Sequence, residues 1–209
     1  MPLVAGVDTS TQSTKVLVAD ADTGEQVAIG RASHDVVGTG GARETDPEQW
    51  WDALAAALAE TGRAGDIAAI SVAGQQHGLV VLDDAGRPIR PAKLWNDTES
   101  AGDARALIDA FDGPEWWADH VGLVPVASFT ATKWAWLRRV EPHHAAATAA
   151  VRLPHDFLTE RLCGRGVSDR GDASGTGWWS TASEAYAPEV LQHLRLDRSV
   201  LPDVLGPRD

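Results

Sequence analysis

The sequence predicts an α/β fold in which a mixed sheet, opened by an antiparallel three-strand meander, is flanked by helices. Three observations carry this expectation: short alternating apolar segments repeated three times before residue 31, a sharply signalled helix after Asp46, and a mostly helical pattern beyond Trp95. At 209 residues and 44% hydrophobic composition, the chain can bury a core of its own, as one large domain or two small ones.

The opening alternates through Val4 and Val7. Lys15-Val16-Leu17-Val18-Ala19 resumes the pattern after a polar turn, so the two segments predict a hairpin. A second turn, Asp20 to Gly24, leads into Gln26-Val27-Ala28-Ile29-Gly30 as the third strand. The first helix follows. Asp46 can cap it, Pro47 suits its first position, and Gln49 stands where a capping box places Glu or Gln. Trp51, Leu54, Ala55 and Leu58 then fall on one face, and Gly62 ends the helix.

Ile67 to Ala73 predicts a buried strand, and Leu79 to Leu82 runs through Asp83-Asp84-Ala85-Gly86 into a second hairpin. Further helices are expected over Glu99 to Phe111, Thr130 to Val140 and Asp156 to Leu162. The alanine-rich patches Ala53 to Ala59 and Ala145 to Ala150 read as ordinary helix, and no internal repeat is present.

A net charge of −12 would repel a phosphate backbone, so nucleic acid is not an expected partner. No run of eighteen apolar residues occurs, and no basic stretch precedes an apolar one at the start, which predicts a cytoplasmic protein without a membrane partner. The single cysteine, Cys163, has no partner for an internal disulfide. His143, His144 and His155 show no metal-ligand spacing, so no transition-metal site is expected. A phosphate-bearing small molecule stays compatible with the charge, because such sites use backbone N–H groups and bound metal.

The chemistry is concentrated at Asp8. It ends a buried strand, where a lone carboxylate is costly, and Thr9-Ser10-Thr11-Gln12-Ser13-Thr14-Lys15 follows as a turn dense in hydroxyls and backbone donors. A carboxylate so placed can hold hydrated Mg²⁺ while the turn and Lys15 meet phosphate oxygens; a plain β-turn with solvated hydroxyls would use the same residues.

Further segments occur in an order that resembles the FGGY family of carbohydrate kinases. Asp8 to Lys15 is similar to that family's first phosphate loop, and Asp46-Pro47-Glu48-Gln49-Trp50-Trp51 to its first long helix. Gly74-Gln75-Gln76-His77-Gly78 resembles its sugar-binding turn, where members acting on xylulose place Gln-Met-His and those acting on glycerol place Gln-Arg-Glu. Pro91-Ala92-Lys93-Leu94-Trp95-Asn96-Asp97 resembles a Pro-Ala-Ile-Leu-Trp-Asn-Asp run, and Phe129-Thr130-Ala131-Thr132-Lys133 a Phe-Thr-Ala-Pro-Lys run. Leu153 to Leu158, Ser168-Asp169 and Asp172 to Thr176 extend the match almost to the end. Ser10 departs from the glycine many members carry, and Gln76 from the usual methionine.

The resemblance implies an actin-like ATPase, ribonuclease H-like, fold over residues 1–209 as the sugar-binding N-terminal domain. It implies ATP, Mg²⁺ and D-xylulose as ligands, with D-xylulose 5-phosphate as product of the intact enzyme. Asp8 would be the catalytic carboxylate that meets metal and phosphate. Thr11, Gln12, Ser13 and Lys15 would approach the nucleotide's phosphates, while Gln76, His77 and Trp95 would contact the sugar. Asp97, Asp169 and Asp172 are read as turn and cap residues. The family's second aspartate, which deprotonates the sugar hydroxyl, and its C-terminal nucleotide-binding domain are expected to lie outside this chain, in cis or on a separate chain, so the chain alone should be inactive. Kinases for ribulose, gluconate or glycerol, a non-catalytic sugar-binding remnant, and association into a homodimer through the exposed interdomain face remain open readings.

Overall fold

The computed structural model describes residues 2–207; Met1, Arg208 and Asp209 of the expected 1–209 domain lie outside the described residues. Strands β1 (Leu3–Thr9), β2 (Ser13–Asp20) and β3 (Gln26–Ser33) form the expected antiparallel meander. A short strand β4 (Glu44–Thr45) then leads to α1 (Pro47–Glu60), and β5 (Ile67–Gly74) returns parallel to β1, giving the sheet order β3-β2-β1-β5.

The start of α1 is the expected one, with Pro47 at its first turn and the Asp46 side chain accepting from the Glu48 amide at 3.0 Å. Gln49 does not close a capping box: its Oε1 accepts from the Asp35 amide instead, at 2.9 Å. The buried face is also one residue out of register with the expected one. It centres on Trp50, Ala53, Leu54 and Ala57, with the expected Trp51 and Leu58 half-buried against the same core and Ala55 exposed. The sheet selects this stripe, because Gly30 of β3 lets the helix backbone so close that a Cβ there would overlap the carbonyl of Ala57.

β5 is not the buried strand expected. Its residues alternate between half-buried and exposed because it stands at the edge of the described sheet, with one face packed on the core side and the other open. The same open face carries Leu17, Val27 and Ile29 of β2 and β3.

After β5 the chain crosses to a second core. Strand β6 (Val80–Leu82) runs between the two: Val80 and Leu82 pack with the sheet, whereas Leu79 and Val81 pack with the helices. The expected hairpin forms over a short stretch, with the Gly86 amide donating to the Asp83 carbonyl, the Ile89 amide to the Val81 carbonyl and Leu82 bridging antiparallel to Pro88, while the longer strand partner of β6 is β8 (Ala150–Arg152). Between them lie β7 (Ala92–Lys93), α2 (Ala101–Ala110), α3 (Pro114–His120), α4 (Thr130–Val140) and α5 (Pro142–Ala147). The helix through the second alanine patch thus stops at Ala147, and Ala150 opens a strand.

The chain continues through α6 (Pro154–Cys163), β9 (Val167–Asp169), α7 (Arg170–Ser174), β10 (Trp179–Ser180), β11 (Ala185–Tyr186), α8 (Pro188–His193) and β12 (Asp203–Leu205). Most of the nine tryptophans serve the helical core, Trp117, Trp134, Trp136, Trp178 and Trp179 among them, and Trp50 fills the sheet core. No described helix is long and apolar enough to cross a membrane.

Candidate active site at two joined turns

The β1–β2 turn is held from within. Both the amide and the hydroxyl of Ser10 donate to the Ser13 carbonyl at 3.0 Å, and the hydroxyls of Thr9 and Thr14 meet at 3.0 Å beneath it. No non-glycine residue from Thr9 to Thr14 has positive φ, so Ser10 fits without strain where a glycine is more usual. Asp8 corrects the expectation. It is exposed, because alternation along β1 turns it to the open face of the sheet, and the strand runs on to Thr9. Lys15 lies directly across from it in register and is half-buried. Thr11 is half-buried, Gln12 exposed and Ser13 buried.

Parallel pairing carries β5 to the same end of the sheet. Thr9 stands beside Gly74, and the Gln75 amide donates to the Thr9 carbonyl at 2.9 Å, so the phosphate-loop candidate and the sugar-turn candidate are joined backbone to backbone. Beyond Gln75 opens a depression of about 590 Å³, lined by Gln75, Gln76, His77, Trp95, Ser128 and Phe129 among others. Gln76 is exposed. Trp95 is 44% exposed, and its Nε1 donates to Thr11 Oγ1 at 3.2 Å, which ties the mouth of the depression to the β1–β2 turn.

His77 is the most constrained group here. Its backbone is left-handed, with φ of 67°, and its carbonyl accepts from Thr130 Oγ1 at 2.9 Å. The ring stands edge-on to Phe129 at 4.9 Å, and Nδ1 lies 2.9 Å from the Gly175 carbonyl. Burial pulls its pKa below the usual histidine value; the Gly175 bond opposes this and the Lys133 charge reinforces it. The ring is therefore neutral near pH 7. A carbonyl can only accept, so Nδ1 carries the proton and Nε2 is left as an acceptor.

A family model described as the FGGY family of carbohydrate kinases, N-terminal domain, matches residues 3–208. The chain belongs to the FGGY family. A xylulose kinase of Streptomyces rubiginosus is 58% identical over 207 residues, and one of Streptomyces coelicolor is 60% identical; each alignment covers 99% of this chain and 43% of the relative. The solved xylulose kinase from Bifidobacterium adolescentis superposes with a TM-score of 0.89 at 42% identity, over 100% of this chain and 48% of that one. The chain thus spans less than half the length of these relatives. The actin-like fold expected from the motifs is borne out by these FGGY neighbours.

Within this FGGY domain the structure brings Asp8, Thr11, Gln12, Ser13, Lys15, Gln76, His77 and Trp95 to one end of the sheet, around the two turns. It also places groups that the sequence did not single out. Lys133 is fully buried and donates from Nζ to the carbonyls of Ala127 and Ser128, at 2.5 and 2.9 Å, fixing the loop that carries Ser128 and Phe129. Burial pushes its pKa down to about 7. Lys93, also fully buried, reaches Glu99 at 2.7 Å, Asp97 at 2.8 Å and Glu44 at 3.3 Å, and lies over the Trp136 ring at 3.8 Å. Its bond to Asp97 closes the turn that displays Trp95. Lys93 stands where the resembling run has isoleucine, and that departure was the available signal.

Proposed function

We propose that this domain is the sugar-binding wall of a kinase that transfers the γ-phosphoryl group of ATP to D-xylulose, giving D-xylulose 5-phosphate. The observation that carries the reading is the junction of the two turns: a hydroxyl- and amide-rich phosphate loop lies one backbone hydrogen bond from a depression lined by His77 and Trp95. Phosphoryl transfer depends on holding acceptor and phosphate side by side, which a junction of two such turns suits. The identity to proteins named xylulose kinase supports the choice of sugar.

The roles follow from the chemistry of each group. His77 Nε2 accepts a hydrogen bond from a sugar hydroxyl, Gln76 offers a carboxamide at the rim, and Trp95 gives an apolar wall to the sugar carbons. The β1–β2 turn, with Thr11, Gln12, Ser13 and Lys15, holds the terminal phosphates of ATP. Asp8, an exposed carboxylate beside that turn with no ion pair among the described residues, fits Mg²⁺, which takes few protein carboxylates and keeps water and phosphate as its other ligands. Mg²⁺ bound there supplies charge neutralisation for the phosphates.

No carboxylate lines the depression among the described residues. In this reading the proton acceptor for the sugar hydroxyl and the adenosine site are assigned to the part of the relatives' length that this chain does not span, so that the 209-residue chain alone is inactive. The enzyme works in the cytoplasm. The test is an ATP-coupled assay of the full-length enzyme and of the 209-residue chain against D-xylulose, D-ribulose, D-gluconate and glycerol. Preference of the full-length enzyme for D-xylulose, with no turnover by the short chain, is the expected result. Preference for another acceptor, or robust turnover by the short chain, would overturn the reading.

A further inference from the structure

Next to the sugar turn, where His155 packs against Gly74, four side chains from two helices and a cap meet. His155, in the first turn of α6, has Nδ1 2.9 Å from Asp172 of α7 and 3.1 Å from Asp156. Its Nε2 lies 3.3 Å from Asp169, the residue that caps α7. The ligand atoms of His155, Asp169 and Asp172 all fall within 4.8 Å of one another.

Three observations distinguish this cluster from an ordinary ion pair. The first is charge: one imidazole faces three carboxylates, and no Lys or Arg among the described residues pairs with any of them, so even a protonated His155 leaves two negative charges unbalanced. The second is unmet bonding. Asp156 and Ser168, 1% and 4% exposed, present buried oxygens, Oδ1 and Oγ, that have only each other and the His155 ring to lean on, and His155 Nδ1 is shared between Asp172 and Asp156, so none of the three makes a well-formed hydrogen bond of its own. Such groups cost stability unless something completes them. The third is access: an open depression of about 410 Å³ between β5 and α6 is lined by His155, Ser168 and Asp169.

We propose that His155, Asp169 and Asp172, with Asp156 behind them, form a binding site for a divalent cation of the Mn²⁺ or Zn²⁺ type. One imidazole with carboxylates suits such cations better than Mg²⁺ or Ca²⁺, which favour oxygen ligands alone. The cation balances the surplus charge and joins α6 to α7. The latter helix ends at Gly175, whose carbonyl receives the His77 ring, so this helix also links the site to the sugar turn. It is separate from the site proposed at Asp8, and it does not depend on which sugar the enzyme takes.

The test is titration of the nucleotide-free protein with Mn²⁺, followed by loss of the free-ion EPR signal, and with Zn²⁺ by calorimetry, using Mg²⁺ as control. Wild type should bind one equivalent saturably, melt at higher temperature with the metal, and show at least about tenfold weaker response to Mg²⁺. Asp169→Asn, which keeps a capping side chain and sits at the exposed rim, should weaken binding at least about tenfold. His155→Lys places an ammonium among the carboxylates and should abolish binding without lowering the metal-free melting temperature. Asp8→Asn should leave Mn²⁺ binding unchanged. The proposal is overturned if wild type shows no saturable equivalent, if Asp169→Asn and His155→Lys bind as wild type does, or if Asp8→Asn removes the binding.

Discussion

Two charged regions border the depression, and the protein treats them in opposite ways. Around Lys93 each described charge has an ion-pair partner: the ammonium meets three carboxylates and a tryptophan ring, and Arg90 pairs with Glu44 and Glu141. At the β1–β2 turn, Asp8 stands exposed with no ion pair among the described residues. A buried charge without its partner is costly, whereas an exposed one is solvated at little cost. The Lys93 cluster therefore holds shape, and Asp8 is available to a ligand. Substitutions should separate the two: one region should fail in stability, the other in activity.

The largest effect is expected at Lys93. Lys93→Met leaves Asp97 and Glu99 without their cation, and Glu44 with Arg90 alone, and should cost about 3–5 kcal/mol in urea unfolding, with sugar affinity falling because the Trp95 turn loosens. A cost below about 1 kcal/mol would break the comparison. Gly175→Ala comes next. A Cβ there would overlap the His77 ring, so the variant should lose about 1–3 kcal/mol and should weaken sugar binding more than ATP binding, as measured by separate KM values. Equal changes in both would show that His77 does not face the sugar.

The smallest expected effect is that of pH. Burial holds the folded pKa of His77 below its ordinary value of 6.5. The unfolded chain then takes up the proton more readily, so the contribution of this group to stability is present above about pH 6.5 and is lost as pH falls through the lower folded value. Sugar affinity should follow the same course, since protonation removes the Nε2 acceptor. KM for the sugar measured from pH 8 to pH 5 should rise only at the acid end, and a flat profile in His77→Gln would assign the rise to this ring.

The sequence shows the meander, the α1 cap and the long helices plainly, because each rests on a local signal: alternation, a capping residue, a helical stripe. What it misses is set by distant partners. The buried stripe of α1 follows from the close approach at Gly30, the edge position of β5 from its lack of a second neighbour, and the pairing of β6 with β8 from seventy residues of separation. The site divides in the same way. Asp8 and the residues of its turn, the His77 turn and Trp95 were legible as motifs, and the structure gathers them. The exposure of Asp8, the carbonyl that holds His77, and the burial of Lys93 and Lys133 depend on tertiary packing. So does the meeting of His155 with Asp169 and Asp172, at a spacing along the chain that resembles no ligand pattern.

The most direct measurement is D-xylulose phosphorylation by full-length enzyme carrying Asp8→Asn, beside the wild type and with thermal melts of both. The account predicts a loss of at least about a hundredfold in turnover with stability changed by less than about 0.5 kcal/mol, because an exposed, unpaired carboxylate is removed from a ligand and not from the fold. Near wild-type turnover, or a loss that only tracks a fall in melting temperature, would contradict it.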